Sequence, residues 1–76
     1  MGNEAYQRFR ELLVEARTSS GLTQQQLSAK LKRPQSFVSK YERGERRLDV
    51  IEFQSVALAL GVDPLRFLQR LYKDTE

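Results

Sequence analysis

The sequence of 76 residues predicts a single all-α domain of five short helices. Three observations support this prediction. Apolar residues recur at helical spacing in five segments of the chain. Residues that begin or end helices, such as Thr, Asp, Gly and Pro, stand at the segment boundaries. No segment alternates apolar and polar residues with a period of two, so we expect no β-strand.

The first two helices are predicted over residues 4–18 and 22–31. Gly21 ends the first helix because it adopts the left-handed conformation at little cost. Thr23 begins the second as its N-cap, and Gln26 completes a capping box in which each side chain binds the other residue's backbone N–H. The stripe of the first helix follows the spacing i, i+3, i+4 and i+7 and consists of Phe9, Leu12, Leu13 and Ala16.

A third helix is predicted over residues 35–43, after a turn formed by residues 32–34. Pro34 lacks a backbone N–H, which suits the first position of a new helix. Gly44 ends this helix. Residues 23–43 therefore have the pattern of a helix-turn-helix, in which a short turn joins two helices.

Two more helices complete the predicted fold. Asp49 and Glu52 form the capping box of the fourth helix, and Gly61 ends it. Asp63 caps the fifth helix, and Pro64 takes its first position. The apolar face of the fourth helix is predicted to consist of Val50, Phe53, Val56, Ala57 and Leu60.

The fifth helix carries more apolar side chains than one core stripe requires. Two interpretations are open: the surplus forms a homodimer interface, or all of it packs within one protomer. A chain of this size buries only about 60% of its unfolded surface, so dimerisation would stabilise it. The side chains concerned are Phe67, Leu68, Leu71 and Tyr72.

One side of the third helix is polar throughout. At about 100° per residue, its polar side chains fall within an arc of roughly 140° that holds no apolar residue. Amides, hydroxyls and cations are the groups that bind base edges and phosphates, so this side favours binding to nucleic acid. We call it the polar strip; it consists of Gln35, Ser36, Ser39, Lys40 and Arg43.

Positive charge is concentrated around this strip. Residues 30–47 hold seven cations and two anions, a net charge of +5, whereas the other 58 residues hold six cations and eight anions, a net charge of −2. A basic patch beside a helix-turn-helix pattern is typical of nucleic-acid binding, although a charged stretch alone indicates only a solvated surface.

The composition excludes several other functions. The chain has no Cys and no His, so we expect no disulfide, no metal site and no cofactor. The acids are scattered and no nucleophile stands in motif spacing with a base, so we expect no catalytic residues and no enzyme activity. No apolar segment could cross a membrane or act as a signal peptide, and we expect a cytoplasmic, nucleoid-associated protein.

Two positions allow two interpretations each. Gln24 stands in the first turn of the second helix, where backbone N–H groups favour a phosphate, but a polar residue is ordinary at a helix start. Phe37 stands at the border of the polar strip. It either packs at the edge of the core or makes an apolar contact with a thymine methyl group or a sugar.

Three stretches together resemble the Cro and phage-repressor (Xre-type) helix-turn-helix family: GLTQQQLSAKL, QSFVSKYERG and ALALGVDP. The resemblance covers roughly residues 9–68. It implies a five-helix, lambda-repressor-like DNA-binding domain and transcriptional regulation, with double-stranded operator DNA as the partner. It also implies a homodimer that places the third helix of each protomer in successive major grooves of a palindromic operator.

The resemblance also implies roles for individual residues. Those in positions that read bases are Gln35, Ser36, Ser39 and Lys40. Those in positions that contact phosphates are Gln24, Arg43, Arg46 and Arg47. Arg17 matches a first-helix arginine that pairs with an acid at the position of Glu42, so these two are expected to form a structural ion pair.

The chain departs from the family at three positions. Lys32 stands where the family usually has glycine, and a lysine in a left-handed turn costs about 1 kcal/mol. Pro34 replaces a frequent serine or threonine, so the third helix loses a side-chain cap worth about 1 kcal/mol. Phe37 replaces a small polar residue.

A different class of function competes with DNA binding. The chain could be an antitoxin-like or adaptor module whose third helix binds another protein. Such a surface normally has a central apolar anchor, and the polar strip has one only if Phe37 turns outward.

Overall fold

The computed structural model describes residues 3–76, so Met1 and Gly2 of the predicted domain lie outside the described residues. The all-α prediction is confirmed, and residues 3–76 contain no strand. The five helices are α1 (Asn3–Ser20), α2 (Gln24–Lys30), α3 (Phe37–Glu42), α4 (Val50–Ala59) and α5 (Pro64–Thr75).

The predicted helix caps are confirmed. The Thr23 hydroxyl accepts a hydrogen bond from the N–H of Gln26, whose side chain in turn accepts one from the N–H of Thr23. Asp49 and Glu52 make the same reciprocal pair at α4. The carboxylate of Asp63 accepts from the N–H of Leu65 at α5. These side chains bind N–H groups that have no partner within their own helix.

One cluster of aromatic side chains in the core comes from three helices, α1, α4 and α5. The rings of Phe9 and Phe53 lie 5.4 Å apart, and Phe67 contacts both, at 5.8 Å and 5.1 Å respectively. The remaining buried apolar side chains are Leu12, Leu13, Leu27, Phe37, Val38, Tyr41, Val56, Ala57, Leu60 and Leu71.

One predicted core residue is wrong. Val50 is 71% exposed, whereas Phe53, Val56, Ala57 and Leu60 of the same predicted face are buried. Val50 lies about 60° from Phe53 around the helix axis, and in the first turn of α4 the core does not extend that far.

The apolar residues of α5 divide between the core and the surface. Phe67 packs in the aromatic cluster and Leu71 is 8% exposed, so both contact the interior of the same protomer. Leu68 is half-buried. Leu65 and Tyr72 are 71% and 63% exposed. Part of the predicted surplus therefore packs internally, and part stays on the surface.

The helix α2 ends in a left-handed residue that is not glycine. Lys32 has φ = 57°, its N–H donates to the carbonyl of Ala29, and the N–H of Arg33 donates to that of Ser28. This pair of bonds is the Schellman motif, which α4 completes with Gly61 at the equivalent position. The expectation that Lys32 occupies a left-handed turn is thus confirmed.

The third helix begins two residues later than predicted. The N–H of Phe37 donates to the carbonyl of Pro34, which closes a turn over residues 34–37, and α3 starts at Phe37. Gln35 and Ser36 therefore belong to this turn. Pro34 has no backbone N–H, so it cannot donate a hydrogen bond in the stretch before the helix. The tight turn over residues 34–37 leads the chain into α3 in place of a first helical turn.

Candidate nucleic-acid interface

The side chains of the polar strip reach solvent. Gln35, Ser36, Lys40 and Arg43 are exposed, and Ser39 is half-buried. The Ser39 hydroxyl donates to the carbonyl of Ser36 at 3.1 Å. The strip is therefore open to a partner molecule.

A buried serine on α2 holds the start of α3. Ser28 is fully buried, its hydroxyl accepts from the N–H of Val38 at 3.2 Å and donates weakly to the carbonyl of Gln35 at 3.4 Å. The Ser28 hydroxyl thus binds a backbone N–H in the first turn of α3, which the side chain of Pro34 cannot do because it has no acceptor atom. The sequence analysis missed Ser28 because nothing in a linear pattern distinguishes a serine that caps another helix.

The C-terminal end of α3 is held by a group that we call the Glu42 network, formed by Glu42, Arg17 and Gln24. The Glu42 carboxylate binds the Arg17 guanidinium at 2.8 Å and 3.1 Å and accepts from the Gln24 amide at 2.8 Å. The side chains of Arg17 and Glu42 are 14% and 5% exposed. The expected ion pair is present, and its hydrogen bonds raise the pKa of Arg17.

The Glu42 network also orients Gln24. One amide hydrogen of Gln24 points to Glu42, and its second has no partner among residues 3–76. Gln24 is half-buried at the start of α2. Its amide is thereby fixed in direction while it keeps a donor for a phosphate.

The N-terminal end of α3 is held by a second group, the Glu52 cluster, formed by Glu52, Arg33, Arg46 and Phe37. The Glu52 carboxylate binds Arg46 at 2.9 Å and 2.6 Å, and Arg33 at 2.7 Å. These bonds and the N–H of Asp49 lower the pKa of Glu52 to about 2, with the Arg46 bonds as the largest cause.

Phe37 contacts both guanidinium groups of the Glu52 cluster. The guanidinium carbons of Arg33 and Arg46 are 4.5 Å and 4.9 Å from the centre of its ring. The Tyr41 ring packs edge-on, with 5.5 Å between the two ring centres. Phe37 is only 6% exposed. The interpretation of Phe37 as a residue at the edge of the core therefore fits the structure, and a thymine contact does not.

The other cations proposed to contact phosphates differ in their partners. Arg43 binds Glu45 at 2.8 Å, with both side chains more than half exposed. The Arg47 guanidinium stacks on the ring of Tyr6 at 4.1 Å and has no carboxylate partner among residues 3–76. Arg47 and Arg10 line one cleft of about 210 Å³ beside Gly44. Arg47 is thus the candidate whose charge is least neutralised.

Gly44 serves this region in two ways. Its φ of +81° closes the C-terminal end of α3 in a conformation that other residues rarely adopt. A Cβ atom at this position would also lie 3.1 Å from the guanidinium of Arg10, which donates to the carbonyl of Glu42. A side chain here would displace Arg10 from α3.

Two helices joined by a tight turn, with an exposed polar strip beside the second, define a helix-turn-helix DNA-binding domain. The helix-turn-helix family model matches residues 13–67 of this chain, which is more than half of it. The chain belongs to the Xre-type helix-turn-helix family. It is therefore a DNA-binding transcription regulator.

A solved structure agrees with this assignment. It is described as an XRE-family like protein from Pseudomonas syringae pv. tomato str. DC3000 and is 51% identical in sequence, with a TM-score of 0.93. The match covers 97% of this chain and 90% of that chain. A comparison with curated proteins finds no match.

Two searches of the described residues concern other kinds of site. None of the helices in residues 3–76 is long and apolar enough to span a membrane. The same residues contain no group of three or more acidic, His or Cys side chains placed to hold a metal ion.

Proposed function

We propose that this regulator is a repressor that binds a palindromic operator as a homodimer. Each protomer would place α3 in the major groove, with the two half-sites about 34 Å apart. The observation that supports this proposal is the exposed polar strip beside a buried Phe37, because such a surface offers hydrogen bonds to DNA and no apolar anchor to a protein.

The base-reading role falls to the N-terminal part of the strip. Gln35, Ser36, Ser39 and Lys40 are assigned to bases, because their amide, hydroxyl and ammonium groups fit base edges in the major groove. The Gln35 side chain has no hydrogen-bond partner within residues 3–76, so it is free to bind the N6 and N7 atoms of adenine.

The phosphate-binding role falls to residues around the strip. Gln24, Arg43 and Arg47 are assigned to phosphates, and each keeps a donor that has no partner among residues 3–76. Arg46 is assigned there as well, although its bonds to Glu52 and to the carbonyl of Arg47 leave it only Nε and part of Nη2 for a phosphate.

The proposed dimer interface centres on the exposed apolar side chains of α5. Leu65, Leu68 and Tyr72 follow the spacing i, i+3, i+7 along one side of the helix, and Val50 of α4 shares a cleft with the last two. Phe67 and Leu71 were also predicted in the interface, but they pack in the core of the same protomer. Covering this apolar surface with a second copy would bury side chains that otherwise contact water.

The base-reading assignment is tested by Gln35→Ala. Selection of bound sites from random DNA first identifies the operator. The variant should then lose about 1–3 kcal/mol of binding free energy and relax its preference at one base pair. Gln54→Ala on α4 is the control, because Gln54 is also exposed but lies outside the helix-turn-helix. Equal loss on all DNA sequences would contradict base reading by Gln35.

The dimer is tested by Tyr72→Ser combined with Leu65→Ser. Light scattering at micromolar concentration should give the mass of a dimer for the wild type and of a monomer for the variant. Ile51→Ser is the control, because Ile51 is 66% exposed on α4 but lies beside Arg33 rather than α5. A wild type that is monomeric on and off DNA would contradict the proposal.

A further inference from the structure

Glu52 has two arginine partners, one on each side of α3 along the chain. Arg33 belongs to the turn before α3, and Arg46 belongs to the loop after it. Both guanidinium groups converge on one carboxylate of α4, at 2.6–2.9 Å. The local charge is therefore +1, whereas two arginines alone would contribute +2.

The two arginines remain accessible while the carboxylate is shielded. Their side chains are 39% and 36% exposed, and the Glu52 side chain is 14% exposed. Arg33 gives only one nitrogen, Nη2, to Glu52. A DNA phosphate can therefore reach both guanidinium groups, and it must compete with Glu52 for them.

From this geometry we propose that Glu52 is a specificity-determining residue that restrains non-specific DNA binding. It holds Arg33 and Arg46 away from phosphates of any sequence, and it does not touch the base-reading side chains of the polar strip. Non-specific affinity depends on the number of phosphates that cations neutralise, whereas base preference depends on the polar strip. The inference rests on the proposed DNA interface and adds to it a carboxylate that limits phosphate binding by two of its arginines.

The variant Glu52→Gln separates this restraint from the role of Glu52 in the capping box of α4. Glutamine also serves at the third position of a capping box, so it can still accept the hydrogen bond from the N–H of Asp49. The substitution removes the negative charge while the start of α4 keeps its cap. A thermal melt followed by circular dichroism checks that the variant folds.

The measurement is fluorescence anisotropy with a random-sequence 20-bp duplex at several KCl concentrations. A partly exposed ion pair is worth at most about 1 kcal/mol, so Glu52→Gln should bind this duplex about two- to five-fold more tightly at 50 mM KCl. The plot of log K against log salt should steepen by about one unit, because one more phosphate is neutralised. The base preference in site selection should not change.

Two control variants isolate the cause. Glu15→Gln makes the same change in net charge, but Glu15 is 56% exposed on α1 and lies 3.9 Å from Arg70 of α5, outside the Glu52 cluster. It should leave the affinity and the salt slope unchanged. Adding Arg33→Gln to Glu52→Gln should return the salt slope towards the wild-type value.

The opposite results would overturn the inference. Lost stability weakens binding to every DNA, so a folded Glu52→Gln protein whose non-specific affinity falls or stays constant shows that Glu52 is only structural. An equal gain with Glu15→Gln shows that only net charge matters. If the wild type binds neither random nor selected DNA at 50 mM KCl, the proposed DNA interface itself fails, and that result does not depend on the Glu52 variants.

Discussion

The two ends of α3 are held by similar groups in different surroundings. At the C-terminal end, Glu42 accepts hydrogen bonds from Arg17 and Gln24, and its side chain is 5% exposed. At the N-terminal end, Glu52 accepts from Arg33 and Arg46, whose side chains are more than a third exposed. Each group joins α3 to another part of the fold through one carboxylate.

Exposure decides what each group contributes. A buried carboxylate must keep its cation, because a buried charge without a partner is costly. An exposed guanidinium can exchange its carboxylate for water or phosphate, so its ion pair adds little to stability. The Glu42 network therefore fixes the position of α3, and the Glu52 cluster is free to influence binding.

The largest expected effect comes from removing one partner of the buried pair. Arg17→Met should lower the free energy of unfolding by about 3 kcal/mol, because it leaves Glu42 buried without a cation. Arg33→Met at the other end of α3 should cost less than about 1 kcal/mol. Urea unfolding followed by circular dichroism measures both. Equal costs for the two variants would contradict the contrast between the two groups.

The sequence contained enough information for the ion pair of the Glu42 network and not for the Glu52 cluster. The first helix, the cap residues and the pairing of Arg17 with Glu42 were predicted, because caps are local patterns and the pair was implied by the family resemblance. The Glu52 cluster joins residues from the turn, the loop and α4, whose approach depends on how the helices pack. Sequence reasoning recognised Glu52 only as a capping residue.

The start of α3 shows the same limit of prediction from sequence. A helical wheel that starts at Gln35 treats it as the first residue of a helix, but the Pro34–Phe37 turn places Gln35 before α3. The polar character of the strip was predictable from its residue types. The hydrogen bonds from Ser28 that position it depend on tertiary packing.

A smaller effect is expected when acid titrates the Glu52 cluster. The pKa of Glu52 is lowered to about 2 in the folded protein, below its ordinary value of 4.5. The unfolded chain therefore binds the proton first, and the stability due to Glu52 is complete above pH 4.5 and lost as the pH falls towards 2. The stability of Glu52→Gln should fall less than that of the wild type over this range, as measured by urea unfolding at each pH. Parallel curves would mean that Arg33 and Arg46 do not bind this carboxylate in solution.

Two tyrosines extend the contrast to uncharged groups. The Tyr41 side chain is 1% exposed, and its hydroxyl has no hydrogen-bond partner among residues 3–76. The Tyr6 hydroxyl accepts from the N–H of Leu48 at 3.1 Å. Tyr41→Phe should therefore raise the free energy of unfolding by about 1 kcal/mol, and Tyr6→Phe should lower it by a similar amount.

Alkaline pH provides an independent check on the buried hydroxyl. Burial raises the pKa of Tyr41 above its ordinary value of 10.0, so the wild type should lose stability as the pH rises past that value. Tyr41→Phe removes this loss, and its advantage over the wild type should grow between pH 9 and 11. An advantage that is constant with pH would mean that the Tyr41 hydroxyl reaches water.

The smallest expected effect concerns the turn that leads to the Glu52 cluster. Lys32 has φ = 57°, next to Arg33, whereas Gly61 closes α4 in the same conformation at φ = 75° without a side chain. Lys32→Gly should raise the free energy of unfolding by about 0.5–1 kcal/mol, because a left-handed lysine is strained and a glycine is not. Lys32→Asn removes the same charge and tolerates this conformation less well than glycine, so its gain should be smaller.

The same pair of variants shows whether strain in this turn affects DNA binding. Both remove one exposed cation, so each should weaken binding to random duplex by the same factor if only the charge of Lys32 matters. If the Lys32→Gly variant binds random DNA more tightly than the Lys32→Asn variant, the relaxed turn has freed Arg33 from Glu52. In that case the left-handed lysine would be part of the restraint on non-specific binding, because backbone strain in the turn and the carboxylate of α4 would act on the same guanidinium group.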